Sequence, residues 1–478
     1  TEYEGFETYM NIDERSASFM ALGIAKAHKE PTVLVCTSGS AVAHYLPAIL
    51  EAQYSGVPLI VLSADRPYTL LHTGAPQTVD QQKIFGTAVN YYEELSVPQD
   101  EHYYTYPRQV ARKAYMKAID TKKGPVHINI PLFEPLVPEL DRKHFEAGRS
   151  PYKVFKPNYG DVFSYQNRSN NTSNASNVSD VSDVSYTKNT TDNSANNTNN
   201  FNNSNLLLTQ YKRVLILAGP QIDIDEVESI HSFAENLQAP ILADPLSNVR
   251  RCHKTGTIDD NHEVASNRNN DTDMIQKKHF SDVVISTYDA FLADKDLWPV
   301  LKPDCVIQFG QIVVSKRVQQ MVASWDNVEY IEVNPTMDSM NPMGKTTIHM
   351  QASIDMFTHL FAVKNESNAY LNRWQRLEVA GKAQLSTAIE EPSCFEGRTI
   401  RELQQHIPDN SQVLVANSMT VRDFDYFWLS GESDAVLYGN RGVNGIDGTV
   451  STALGLATNH QPTYLVTGDL SLFHDLNG

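Results

Sequence analysis

Short apolar runs that stop abruptly at small polar residues constrain this chain more than any other feature. Val33-Leu34-Val35-Cys36 ends in Thr37-Ser38-Gly39, and Leu59-Ile60-Val61-Leu62 ends in Ser63-Ala64-Asp65. Residues 41–54 between them read as a helix, and residues 126–130 form another strand, stopped by Pro131. Apolar runs without alternation belong to strands covered on both faces. The helices between them supply the covers, so the expected architecture is α/β with a parallel sheet. Ligands of such sheets gather at the carboxyl ends of the strands, where Gly39 and Asp65 lie.

The pattern recurs twice. Strands at 213–219, 241–244, 306–310 and 330–333, with a helix at 223–237, define a second region. A helical stretch at 367–388 leads into a third, with strands at 412–416, 435–438 and 464–467. A length of 478 residues suits about three domains. The expectation is three doubly wound parallel-sheet domains, at 1–148, 149–365 and 366–478. Residues 158–205 are mostly Asn, Ser, Thr and Asp; they cannot offset their ordering entropy by burial and read as a disordered insertion. Triplets such as Asn167-Arg168-Ser169 follow from that composition. A smaller polar stretch at 255–278 reads as a second inserted loop. The chain opens at Thr1 rather than Met and stops at Gly478, inside the helix expected after Asp469. Both natural ends are therefore expected to be missing, with the first and third domains incomplete.

Composition narrows the function. Lys and Arg number 39 against 57 Asp and Glu, a net charge of −18, which argues against a nucleic-acid or anionic-membrane partner. Cys36, Cys252, Cys305 and Cys394 are scattered without metal or disulfide spacing and read as buried free thiols. No apolar run approaches the ~20 residues of a membrane span, and no export signal is recognisable, so the cytoplasm is the expected location.

Among candidate motifs, Gly344-Lys345-Thr346 lacks the first glycine of a phosphate loop, since position 339 is Ser339, and leads into a strand rather than a helix. More informative are Gly439-Asn440-Arg441-Gly442-Val443-Asn444-Gly445-Ile446-Asp447-Gly448 and, one helix and one strand later, Gly468-Asp469-Leu470-Ser471. The glycines permit a tight turn into a helix at 449–457, whose free N–H groups favour an anion. Asp469, at a strand's carboxyl end, could hold Mg²⁺ against a diphosphate, because that ion binds few carboxylates plus phosphate oxygens. Alone, a Gly-Asp at a strand end is an ordinary turn; the two segments in this order are far more specific. Asp13-Glu14-Arg15, ahead of a helix rich in small residues (Ala17, Ala21, Gly23, Ala25, Ala27), read by themselves as a capped, charged first turn.

Taken with Thr37-Ser38-Gly39-Ser40-Ala41, Ser63-Ala64-Asp65-Arg66-Pro67, Gly74-Ala75-Pro76-Gln77, Gly124-Pro125-Val126-His127-Ile128-Asn129, Ala243-Asp244-Pro245-Leu246-Ser247-Asn248, Ser315-Lys316-Arg317 and Asn417-Ser418-Met419, these segments resemble a known family. They are similar to the thiamine-diphosphate enzymes, and within them to the menaquinone-pathway synthases that make 2-succinyl-5-enolpyruvyl-6-hydroxy-3-cyclohexene-1-carboxylate (SEPHCHC). The resemblance implies a transferase that decarboxylates 2-oxoglutarate and joins its succinyl unit to isochorismate, using thiamine diphosphate with Mg²⁺ or Mn²⁺. It implies Glu14 as the catalytic carboxylate on the aminopyrimidine ring, with a pKa raised by burial. It implies Gly39, Ser418, Met419, Gly445, Ile446, Asp469, Leu470 and Ser471 as cofactor-binding residues, with Ile446 bending the cofactor and Asp469 binding the metal. Arg66, Gln77, Lys316, Arg317, Arg422 and Arg441 would meet the substrate carboxylates. Because Glu14 and Asp469 fall on different domains, a homodimer or dimer of dimers is implied. In the family, a segment of about forty residues carrying Gly-Ser-Arg precedes Asp13, and a C-terminal part completes the metal site. Two alternatives stay open: another thiamine-dependent 2-oxoacid decarboxylase or ligase, or an inactive fragment that only binds.

Overall fold

A computed structural model describes residues 5–97, 105–134, 136, 208, 210–252, 282–361, 363, 365, 369–390 and 395–478. The Asn-rich segment at 158–205, the whole polar stretch at 255–278 with its immediate flanks, and Cys394 lie outside the described residues.

Three separate sheets form, all of their strand pairs parallel. The first has the order β1-β2-β4-β3, from β1 (Thr32–Cys36), β2 (Leu59–Asp65), β3 (Tyr91–Glu94) and β4 (Val126–Pro131). Its helices are α1 (Glu14–His28), α2 (Leu46–Ser55) and α3 (Thr105–Ala118). The second has the order β10-β9-β8-β5-β6-β7, from β5 (Val214–Ala218), β6 (Ile241–Ala243), β7 (Val284–Ile285), β8 (Cys305–Phe309), β9 (Glu329–Asn334) and β10 (Ile348–Gln351). Helices α4 (Val227–Leu237), α5 (Lys316–Ala323) and α6 (Ile354–Leu360) belong to it. Its central strands β5 and β8 are buried at every position, as the apolar run of β5 requires, and the one polar residue of β8, Gln308, accepts from the Tyr330 hydroxyl at 2.6 Å.

Helix α7 (Ala369–Glu390), grouped with the third region on sequence, packs Tyr370 and Trp374 into the core of the second sheet. Its buried Glu378 accepts hydrogen bonds from the backbone and hydroxyls of Ser286 and Thr287, at 2.7–3.0 Å. The third sheet has the order β12-β11-β13, from β11 (Gln412–Val415), β12 (Val436–Gly439) and β13 (Thr463–Val466). Around it lie α8 (Glu396–His406), α9 (Met419–Phe427), α10 (Thr449–Leu456) and α11 (Asp469–His474).

The small-residue stripe of α1 has a definite use. A Cβ on Gly23 would lie 2.1 Å from the Thr452 carbonyl, and one on Gly455 would lie 2.1 Å from the Met20 carbonyl. Helices α1 and α10 therefore cross backbone to backbone, and the first and third domains of one chain dock through this crossing. Among the described residues, no helix is long and apolar enough to cross a membrane.

Candidate active site

The three strands of the third sheet deliver three loops to one edge. β11 runs into Asn417 and the start of α9, β12 into the run from Asn440, and β13 into Gly468 and α11. Asn417, buried, ties two of these loops: its amide donates to the carbonyls of Asn440 (2.8 Å) and Gly445 (2.7 Å). Arg441 donates to the Asn417 side-chain oxygen at 2.5 Å. The third loop joins through Ser471, whose hydroxyl donates to the Ile446 carbonyl (2.9 Å) and lies 3.1 Å from that of Thr449. Gly445, Ile446, Asp469, Leu470 and Ser471 are thus brought together with Ser418 and Met419 at adjacent strand ends.

Two features of this edge suit an anion. α9 has no side-chain cap on its N-terminus, which leaves N–H groups of its first turn available, whereas in α11 the Leu470 N–H donates to the Asp469 carboxylate at 2.8 Å. Ser418 sits at φ 70°, a strained conformation for a residue with a side chain, and turns the chain sharply into α9. Asp469 is exposed beside them, and Leu470 is 71% exposed. Arg422, also exposed, lies on α9 with its guanidinium against the Met419 sulfur. Burial lowers the pKa of Arg441, opposed by the charges of Asp244 and Glu51; its guanidinium stays charged at any ordinary pH.

A second cluster forms on the first domain. Glu14, Gly39 and Gln77 line one cleft of about 410 Å³, together with Thr37, Ser38 and Ala75. Arg66 reaches its edge, 3.5 Å from the Gln77 side-chain oxygen. Asp13 caps α1 by accepting from the Ser16 N–H at 3.0 Å, so the capped first turn read from the sequence is present and presents Glu14 at its first position. Burial was expected to raise the Glu14 pKa, yet in the single chain Glu14 is only half-buried. The cleft beside it is lined by first-domain residues.

Behind this cleft lies a buried polar network that sequence reasoning did not find. The Gly39 N–H donates to Gln81 (2.9 Å), whose amide donates to the Ala64 carbonyl (3.1 Å) and to Asn129 (3.0 Å). Asn129 donates to Asp65 at 2.7 Å, and Ser63 bridges Asn129 to the His127 ring. Burial pushes the Asp65 carboxyl up, partly offset by the Asn129 hydrogen bond. Burial also pushes His127 down to about 4. Nothing in the sequence distinguishes Gln81 from the other polar residues around it; its role depends on contacts 17–48 residues away.

Lys316 and Arg317 open α5 in the middle domain. Lys316 is exposed, whereas the Arg317 guanidinium is held by the carboxylate and carbonyl of Asp289. Val314, just ahead of them, packs into the third domain's core with Phe424 and Trp428, which brings the start of α5 against α9. No group of three or more metal-ligating side chains occurs among the described residues. Gly344-Lys345-Thr346 makes no phosphate loop: Lys345 donates to the Trp325 carbonyl and Thr346 to Glu332.

Parallel α/β domains with an anion-suited strand edge on one and a carboxylate cleft on another define a class, and comparison with known proteins gives the same one. Residues 1–84 match the N-terminal TPP binding domain of thiamine pyrophosphate enzymes, and residues 272–415 match the middle domain of that group. A 2-succinyl-5-enolpyruvyl-6-hydroxy-3-cyclohexene-1-carboxylate synthase of Lactococcus lactis subsp. cremoris is 43% identical over 100% of this chain and 74% of its own length. Synthases of the same name from Desulfitobacterium hafniense (40% identical, 99% of this chain, 74% of theirs) and Bacillus cytotoxicus (34%, 100% and 73%) are also similar. This chain belongs to the SEPHCHC synthase family of thiamine pyrophosphate enzymes.

Proposed function

We propose that the chain performs the reaction for which its relatives are named, joining the succinyl unit of 2-oxoglutarate to isochorismate with loss of CO₂ to give SEPHCHC. The observation that carries this reading is the convergence of three loops at the carboxyl edge of the third sheet. There, the uncapped N-terminus of α9 lies at the strand end next to the one that carries Asp469 at the start of α11. Free N–H groups suit diphosphate oxygens, and a single carboxylate beside them suits a hard cation whose remaining ligands are phosphate oxygens and carbonyls. The residues present therefore fit Mg²⁺–thiamine diphosphate, with Asp469 as a metal ligand and Ser418, Met419, Gly445, Leu470 and Ser471 around the diphosphate. Half-buried Ile446, held through its carbonyl by Ser471, would support the cofactor's rings.

When bound, thiamine diphosphate supplies a carbanion centre at C2 of its thiazolium ring. Glu14 would hydrogen-bond the aminopyrimidine ring nitrogen and hold the proton that favours its imino form. Gly39 and the Thr37-Ser38 turn would shape the wall beside it. Arg66 and Gln77 at the cleft edge, with Arg422 and Arg441 on the third domain and Lys316 at the start of α5, supply fixed donors for two dicarboxylate substrates. Arg317 is the weakest member of this set, because Asp289 already occupies its guanidinium.

The two clusters belong to one site if two copies of the chain come together. In support, the Glu14 cleft is lined by first-domain residues. The edge strand β1 exposes Val35 (70%), and the third domain exposes Leu470, Phe473 and Leu476, apolar surface of the kind subunit interfaces cover. A homodimer, or a dimer of dimers, follows. Calorimetric titration of the chain with thiamine diphosphate in the presence and absence of Mg²⁺ tests the reading. Saturable, Mg²⁺-dependent binding that raises the melting temperature is expected; no binding in either buffer would remove its basis.

A further inference from the structure

We infer that Glu51 and Lys26, on the first domain, are positioning residues for the Asn440–Gly445 run of the third domain of the same chain; the inference rests on the reading of that run as a cofactor- and substrate-binding segment. The two side chains grip the run at its start and at its middle. The Glu51 carboxylate, 1% exposed on α2, accepts the backbone N–H groups of Gly442 and Val443, both at 2.8 Å and nearly four hundred residues away in sequence. The Lys26 ammonium, at the far end of α1, donates to the Gly439 carbonyl (2.7 Å) and to the Asn440 side-chain oxygen (2.8 Å).

Two glycines let this segment lie close against α1 and α2. A Cβ on Gly442 would lie 2.5 Å from the Glu51 carbonyl and 2.9 Å from the Ser55 nitrogen. Gly448, at φ 65°, lies against the Phe19 ring, where a Cβ would fall 1.9 Å from a ring carbon. The segment carrying Arg441 and Ile446 is therefore pressed onto α1 and α2 at three points, and two charged side chains fix its backbone there. A carboxylate accepting two N–H groups is a charge-assisted pair of hydrogen bonds. An amide in its place offers one acceptor and turns an NH₂ toward the second N–H. Asn417 then passes the placement on, since it holds both Asn440 and Gly445 and receives Arg441.

The test compares the full chain with Glu51→Gln and Lys26→Met, using two readouts. Amide hydrogen exchange at Gly442 and Val443, without cofactor, is expected to be slow in the parent and at least about tenfold faster in Glu51→Gln. Thiamine diphosphate affinity in saturating Mg²⁺ is expected to fall by about tenfold in each variant, measured at a temperature where the variant, with a lowered cofactor-free melting temperature from its stranded hydrogen-bond partners, is still folded. Unchanged exchange at both amides, or parental cofactor affinity in both variants, would overturn the inference. If Glu51→Gln does not fold, Glu51→Asp, which keeps the charge but shortens the reach, is judged by the same two criteria. A parent chain that shows protected amides but no affinity for thiamine diphosphate would contradict the functional reading separately.

Discussion

Replacing Arg250 with methionine is expected to cost more stability than any surface substitution, and the structure sets the size of the loss. Arg250 is 1% exposed and makes five hydrogen bonds, to the carbonyls of Ala243, Asp425 and Trp428, the Tyr288 hydroxyl and the Asp425 carboxylate. Two of those carbonyls and the carboxylate belong to α9 and its end, while Ala243 ends β6, so one guanidinium joins the middle and third domains. Methionine fills most of the volume but leaves a buried carboxylate without its cation. Breaking a buried pair from one side costs about 3–5 kcal/mol. Burial already pushes the Asp425 carboxyl up, with Arg250 opposing. Without Arg250, Asp425 rises further and takes up a proton in the folded state. The deficit relative to the parent therefore grows with pH only above the parent's own Asp425 pKa, raised to about 7, by up to about 1.4 kcal/mol per unit until the variant's higher folded-state pKa is passed. Urea unfolding at several pH values, followed by both tryptophan emission and circular dichroism, measures this wherever the two transitions coincide. The double variant Arg250→Met, Asp425→Leu should recover part of the loss in a mutant cycle. A single-variant loss under about 1 kcal/mol, or additive losses in the double variant, would refute the reasoning.

Other predictions address the site and its supports. Glu14→Gln is expected to bind thiamine diphosphate but to slow exchange of the C2 proton with solvent deuterium by at least about a hundredfold; parental exchange, read by proton NMR, would remove Glu14 from its role. Asp469→Asn should weaken Mg²⁺-dependent cofactor binding by at least about tenfold, a loss that calorimetry in varied Mg²⁺ would show and that undiminished affinity would contradict. His127 is neutral in the fold with its pKa near 4, while the unfolded chain takes a proton near 6.5. Its contribution is present above pH 6.5 and is lost as pH falls toward 4, on the order of 3 kcal/mol in all. Acid unfolding of His127→Gln should therefore be less steep across that window than that of the parent.

The sequence shows the strands most clearly where burial on both faces leaves no polar residue in the run, as in β5. It does not show β3, whose Tyr-Tyr-Glu-Glu is half-exposed at every position at the edge of its sheet, and it gave no sign of α9 as a helix. Gly39, Asp65 and Asp469 are legible because each ends an apolar run, and parallel sheets place such ends on the ligand side. Ser418, Ile446 and the cationic residues become legible only through family resemblance. Glu51, Lys26, Gln81 and Arg250 are hidden for a physical reason. Each is a polar residue in an unremarkable local sequence, and each acquires its use from a partner that only the folded chain brings near. Arg317 runs the other way: adjacent to Lys316 it reads as a substrate cation, and the structure gives it an intramolecular partner in Asp289.

The measurement that bears most directly on the function is turnover of the chain, with thiamine diphosphate and Mg²⁺, on 2-oxoglutarate plus isochorismate against pyruvate plus isochorismate. The account predicts CO₂ release and SEPHCHC formation with 2-oxoglutarate, at a kcat/KM far above that for pyruvate. A preference for pyruvate, with Mg²⁺-dependent cofactor binding intact, would contradict it.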